Sequence, residues 1–341
     1  MSLTECGRPV YREVMQLRLS LIIVAASLAF GWSKPALAAA PVVRARYLMG
    51  TICEIELGPA ADAPERVERA FTVVARIEAF LSTWRDDSQL SALNRSGNAR
   101  VSAPLYELLR TAMMWSQKTG GTFNPLVRPL VDAWKTRAEG TVPSPVTIEV
   151  ALRRVDPANV RFEEGTAITL ANGAEFEEGA FGKGYAIGRM LDTLGQGPAL
   201  INFGGQLAVR GSRGVTIADP ERRAAPAVTF TVTDASISTS SGSEKSFNVQ
   251  GRRFSHLIDP RSGQALPPNG SVSVLDADPL TADILSTALY VMGLRDGLRW
   301  ADTNRIAALF ITAAGLVQPS ARFRGAAPDL RSLDPKFTIK E

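Results

Sequence analysis

Cysteine and histidine are nearly absent from this chain. Of 341 residues two are cysteine, Cys6 and Cys53, and one is histidine, His256. Cys6 falls in an N-terminal segment expected to be removed, and a lone Cys53 has no internal partner, so core packing must supply the stability. The run "TICEIEL" around Cys53 alternates like a strand, which suits a buried small hydrophobe better than a reactive thiol. Any imidazole that accepts a proton near neutral pH must be His256; at a strand end such a residue is otherwise structural. Long apolar runs are also scarce. "LSLIIVAASLAF", Leu19 to Phe30, is short for a membrane span; Arg12 and Arg18 flank it on one side and "ALA" at Ala36 to Ala38 on the other. The pattern predicts a secretory signal over residues 1–38, a mature chain from near Ala39, and a periplasmic location. An uncleaved membrane anchor is the alternative, against which Trp32, Ser33 and Lys34 interrupt the apolar run. No cysteine stands at the cleavage point to take a lipid.

Excess charge is lacking as well. Lys and Arg number 38 against 34 Asp and Glu, a net of +4, and Arg8, Arg12, Arg18 and Lys34 lie in the leader. No nucleic-acid partner is expected from this balance. Repeats and low-complexity tracts are missing, and hydrophobic (45%) and charged (21%) fractions are those of a globular chain.

The mature region divides in texture. Arg44 to Leu57 alternates as a strand or hairpin around "MGT". Helical spacing follows from Val67 to Leu81, and a second helix is opened by Pro104 and closed by Gly120 and Gly121. "LVRPLVDAW" and "TIEVALRRV" add shorter helical pieces, with a loop at Pro143 and Pro145 between them. From Arg161 short β-like runs dominate, broken by helices at Gly179–Leu194 and Leu280–Val291, and "RIAALFIT" with "GLVQPS" reads as a closing hairpin. Strands cluster instead of alternating with helices, which predicts an α+β fold with antiparallel sheet.

Four groups of residues could carry chemistry. In "GAFGKGYAIG" the glycines permit close backbone approach, a helix start attracts anions, and Lys183 adds a charge. The spacing is neither the dinucleotide fingerprint nor a P-loop, and tight helix packing is the plainer explanation of the glycines. In "LTADILSTALYVMG", Asp283 and Thr287 lie one helical turn apart and could hold a hard cation. Equally, Thr281 could cap the helix and Thr287 could bond its own backbone. His256 lies in "RRFSHLIDPRSG". In the fourth group Trp84 could stack on a planar ring and Asn124 with Pro125 could shape a turn beneath one.

Taken in order, "YLMGT", "LSTW", "DSQLSALN", "GGTFNPLVRPL", "GAFGKGYAIGRM", "LINFGGQLAVRG", "FSHLIDPRSG" and "PLTADILSTALYVMG" resemble the ApbE family of FAD:protein FMN transferases, over about Tyr47 to Phe310. The resemblance implies a T-fold-like arrangement of antiparallel sheets with packed helices and a flavin cleft between lobes, built as one domain over 39–341 or as two closely packed lobes. It implies FAD as substrate, Mg²⁺ beside the pyrophosphate, and transfer of FMN to a Ser or Thr hydroxyl of a membrane-associated redox protein with release of AMP. By motif match, Asp283, Thr287 and the carbonyl of Ala180 hold the metal. Lys183, Glu177, Met49, Trp84, Thr122, Phe123, Asn124 and the pair Leu257 and Ile258 border the flavin dinucleotide. His256 is the candidate base. The chain departs from the family pattern at Trp84 (commonly Tyr), Asn124 and Glu177 (commonly Asp), Gln206 (within "GGD") and the loose run "STSSGSEKSF". Two alternatives follow: an FAD pyrophosphatase that gives FMN and AMP, and a periplasmic flavin-binding maturation protein without turnover.

Overall fold

The computed structural model describes residues 40–340, so the signal reading of residues 1–38 lies outside the described residues. The alternation near the start becomes a hairpin, β1 (Val42–Leu48) and β2 (Thr51–Leu57), turning through Met49 and Gly50 at φ 46° and 76°. Cys53, Ile55 and Leu57 point into the core. Burial of Cys53 pushes its thiol up to about 12, as expected of a packed rather than a reactive cysteine.

Helices α1 (Ala63–Leu81), α2 (Gln89–Ser96), α3 (Ala103–Lys118), α4 (Arg128–Trp134) and α5 (Pro145–Arg154) occupy the first half. Val67, Ala70, Phe71, Val74, Ile77 and Leu81 form the buried stripe of α1 at 3.6-residue spacing. Helix α2 was not foreseen as an element; Ser88 caps it by accepting from Ser91 N, and Gly97 closes it at φ 69°. Strands β3 (Asn98–Arg100), β4 (Val160–Phe162) and β5 (Ala167–Leu170) make a small sheet in the order β3-β5-β4.

The second half supplies α6 (Gly182–Leu194), β6 (Ala199–Phe203), β7 (Gln206–Ala218) and β8 (Pro226–Ser241). Two small hairpins follow, β9 (Ser246–Val249) with β10 (Arg252–Ser255) and β11 (Ile258–Asp259) with β12 (Gln264–Ala265). Next come β13 (Ser271–Asp276), α7 (Pro279–Thr303), β14 (Ala307–Ile311), β15 (Leu316–Pro319), α8 (Ala321–Ala326), β16 (Arg331–Ser332) and β17 (Thr338–Ile339).

One ten-stranded sheet runs β1-β2-β6-β7-β8-β13-β14-β15-β17 with β16 on β8. Its pairings are antiparallel apart from β15 with β17, which bears out the α+β antiparallel expectation. α1, α6 and α7 pack one face of this sheet. A second apolar cluster, including Phe230, Val232, Leu309, Phe323 and Phe337, covers the other. The β14–β15 hairpin therefore does not close the chain: the tail after it adds α8 to this second layer and β16 and β17 to the sheet. Helix α7 also outruns the expected end at Val291, because Gly293 at φ 78° and ψ 171° interrupts the helix and lets a further stretch continue to Thr303.

Candidate active site

The starts of α6 and α7 meet at the centre of the site. The chain turns at Glu178, whose carbonyl accepts from Phe181 N and Gly182 N at 3.1 and 2.8 Å, so α6 begins at Gly182 rather than Gly179. Lys183 thus sits in its first turn. A Cβ on Gly184 would lie 2.4 Å from the Pro279 carbonyl oxygen and 2.8 Å from Asp283 Cβ, so only glycine lets the two helices approach this closely. The packing reading of the glycines holds at Gly184, and the close approach falls where charged groups gather. The Gly184 N–H donates to Asp283 Oδ2 at 2.9 Å.

Helix α7 is capped by Asp278, which accepts from Leu280 N at 3.2 Å and Thr281 N at 3.1 Å. Thr281 is therefore not the cap; its hydroxyl donates to Asp278 Oδ2 at 2.7 Å. Asp283 is 5% exposed. Its hydrogen-bond partners are neutral, the Gly184 N–H and the Ser238 hydroxyl at 3.3 Å, and burial pushes its carboxyl above the usual range against the pull of Lys183. One turn on, Thr287 Oγ1 pairs with Ser240 Oγ at 3.1 Å instead of bonding its own backbone, and Ser240 also pairs with Ser286 at 2.8 Å. Ser238 and Ser240 stand two apart on β8 and so share a face of the sheet. This donor set, one under-compensated buried carboxylate with a hydroxyl a turn away, fits a hard divalent cation that completes its shell with phosphate and water. Among the described residues no three His, Cys, Asp or Glu side chains cluster as a ligand set, so such an ion would rest on few protein oxygens.

His256 follows β10 and is half-buried. Its backbone N–H donates to the Lys245 carbonyl at 2.9 Å, and ring Nδ1 lies 3.0 Å from that same oxygen. A carbonyl only accepts, so this contact puts the hydrogen on Nδ1 and leaves Nε2 as the lone-pair nitrogen of the neutral ring. Loss of hydration lowers the His256 pKa, with Lys183 adding to the depression, while Glu244 opposes it. Lys183 and Glu244 also act on Asp283, so His256, Lys183, Glu244 and Asp283 share one electrostatic neighbourhood.

A polar network borders this centre. Thr83 N and Oγ1 donate to Glu178 at 3.0 and 2.5 Å. Arg137 Nη2 donates to both oxygens of Glu177 at 2.6 Å and also to Thr83 Oγ1. Its guanidinium lies 4.2 Å from the centroid of the Trp84 ring. Arg128 approaches Glu177 at 3.7 Å. Desolvation, then the Glu178 carboxylate, raises Glu177 to about 7 against the two arginines.

Met49 joins the centre, its Cε 3.3 Å from where a Cβ on Gly182 would be, with Glu178 and Leu81 beside it. Thr122, Phe123 and Asn124 lie underneath. The Thr122 hydroxyl donates to Thr119 O, Phe123 packs edge-on against Phe181, and Asn124 bridges Leu126 N and the Val155 carbonyl. All three side chains are buried, so this run can offer a ligand its backbone rather than its side chains. It supports the irregular segment leading into α6 through the Pro125 carbonyl, which accepts from Glu177 N at 2.7 Å. Leu257 is half-buried, and Ile258 is buried in β11. Gln206 donates from Nε2 to the Pro279 carbonyl at 2.9 Å, a bond an aspartate could not make. Sequence reasoning missed Thr83, Arg137, Glu178, Ser238, Ser240 and Glu244. The alternation of "SISTS" signals that Ser238 and Ser240 share a face; nothing local marks Arg137.

These features define an α+β protein in which a lysine-bearing helix start, a buried carboxylate and one imidazole share a neighbourhood. The family model described as the ApbE family matches residues 49–310, and the chain belongs to that family. It is 31% identical over 333 residues to the FAD:protein FMN transferase of Treponema pallidum, covering 87% of this chain and 91% of that protein. It is 32% identical over 240 residues to one of Klebsiella pneumoniae, covering 67% and 76%. Among solved structures, the flavinyl transferase ApbE of Pseudomonas stutzeri superposes with a TM-score of 0.75 at 25% identity, over 84% of this chain and 97% of that one.

Proposed function

We propose that this chain is a flavin transferase that moves FMN from FAD to a Ser or Thr hydroxyl of an acceptor protein and releases AMP, with Mg²⁺ as its metal. The observation that carries this reading is the buried Asp283 carboxylate with only neutral hydrogen-bond partners, at the crossing of two helix starts and in electrostatic range of Lys183 and Glu244, the two charges that also act on His256. Asp283, Thr287 and the Ala180 carbonyl would hold the ion. When bound, the ion neutralises charge on the pyrophosphate.

The residues of the chain do the rest. Lys183, in the first turn of α6, draws the diphosphate to the site. His256 Nε2 takes the proton of the acceptor hydroxyl as its oxygen bonds to the FMN phosphorus, and the bond from that phosphorus to the AMP oxygen breaks. AMP departs with the electron pair. The acceptor is proposed to be a membrane-associated redox protein, and the reaction is placed in the periplasm on the sequence of residues 1–38. N-terminal sequencing of protein recovered from the periplasm should begin near Ala39.

The test is incubation of the mature protein with FAD, Mg²⁺ and an acceptor that carries a flavinylation motif. A covalent fluorescent band and AMP should form in equal amounts, and Asp283→Ala should slow both on the order of 10²–10³-fold. AMP without a band would make the chain a pyrophosphatase. FAD bound with neither product would make it a flavin-binding maturation protein.

A further inference from the structure

We propose that Arg137 is a positioning residue for a flat ring of the substrate: it holds the Trp84 indole from one side so that its other face is a fixed stacking platform. The identity of the substrate as FAD rests on the function proposed above; the geometry of the platform does not.

Four observations carry it. Trp84 is 66% exposed, so much of its indole surface is open to a ligand. One face is taken by the Arg137 guanidinium, whose carbon lies 4.2 Å from the ring centroid, within cation–π range. The guanidinium is itself fixed by both Glu177 oxygens at 2.6 Å and by Thr83, the residue before Trp84. Thr83 in turn is tied through its N–H and hydroxyl to Glu178, at the turn into α6. The indole is thereby registered against the helix start that carries Lys183, through a chain of side chains from three separate segments. An exposed indole without this support would sample several rotamers, and a stacked ring would have to select one. Arg137 removes that cost before the ligand arrives, so its effect belongs in binding rather than in the chemical step.

The charge alone does not explain the arrangement. A lysine ammonium would also pair with Glu177, because that pairing runs through the one nitrogen Nη2, yet it has no planar group to set against the indole. Arg137→Lys should therefore keep the fold and still lose the platform.

The experiment titrates the mature full-length protein with FAD, FMN and AMP, following flavin or competitor fluorescence, and measures KM and kcat with FAD and acceptor. Arg137→Ala and Arg137→Lys should each raise the Kd and KM for FAD roughly tenfold with kcat within about twofold. Of FMN and AMP, the half with the stacked ring should weaken and the other should not. Trp84→Ala should weaken FAD similarly, Trp84→Phe should not, and the Trp84→Ala and Arg137→Ala double variant should lose no more than either single one. If Arg137→Ala unfolds for want of a partner for Glu177, the pair Arg137→Gln with Glu177→Gln, compared with Glu177→Gln alone, decides the point. An unchanged Kd, additive losses in the double variant, restoration by Lys, or a parallel fall in kcat overturns the proposal. A wild type that binds FAD but flavinylates nothing overturns the transfer reading and leaves the binding titration to decide this one.

Discussion

At Glu177 burial and charge pull in opposite directions. Desolvation and the neighbouring Glu178 raise its pKa from 4.5 to about 7, while Arg137 and Arg128 draw it back. The folded state thus holds this proton more tightly than the unfolded chain. Its contribution to stability is complete below about pH 4.5 and is lost as pH rises through about 7. Glu177→Gln should flatten that part of the melting-temperature profile between pH 5 and 7, which thermal melts in a pH series check; a wild-type profile that climbs over the same range would contradict the assignment. His256 shifts the other way. Loss of hydration puts its pKa below the ordinary 6.5, so the ring is neutral and Nε2 is available at neutral pH. We expect kcat/KM to rise with pH along a limb below pH 6.5 and stay flat above it, and His256→Gln to lower kcat by about 10²–10⁴-fold. Stopped-time assays at saturating acceptor measure both.

At the scale of elements, the site depends on how closely α6 and α7 cross. A Cβ at Gly184 meets backbone of Pro279 and Leu280 at 2.4 and 2.9 Å, and backbone cannot swing aside as a side-chain end can. Gly184→Ala should cost about 1–3 kcal/mol and weaken Mg²⁺-dependent FAD binding together, since the same movement pulls Gly184 N–H from Asp283. Denaturant melts and FAD titration with and without Mg²⁺ would show whether the two losses go together. Helix α7 was legible from its apolar spacing, but its cap was not. Both Asp278 and Thr281 satisfy the preferences for a cap, and the choice fell to Asp278 because its carboxylate reaches two N–H groups at once. α2 escaped notice because eight residues carry too few apolar positions for a period to stand out.

For the whole molecule, the sheet separates the chemistry from its own support. The site lies on the face packed by α6 and α7, while Phe323 and Phe337 close the opposite layer. Phe323→Ala should cost about 3–5 kcal/mol in a denaturant melt yet leave kcat of the folded enzyme within about twofold, because its ring packs Phe230 rather than any site residue. A large fall in kcat at unchanged secondary structure would mean that the two layers are coupled.

The amino-acid sequence by itself determined the clustering of strands, the hairpin around Met49, most helices, and which carboxylate, lysine and imidazole are available. Periodicity and residue chemistry are local properties, and a chain that has one histidine leaves no choice of imidazole. Tertiary structure alone decided that Arg137 reaches Glu177 and Trp84, that Glu178 ties Thr83, and that Gln206 braces Pro279. Those partners are separated by tens of residues, and their contacts depend on where the sheet and the helix crossing bring distant segments together.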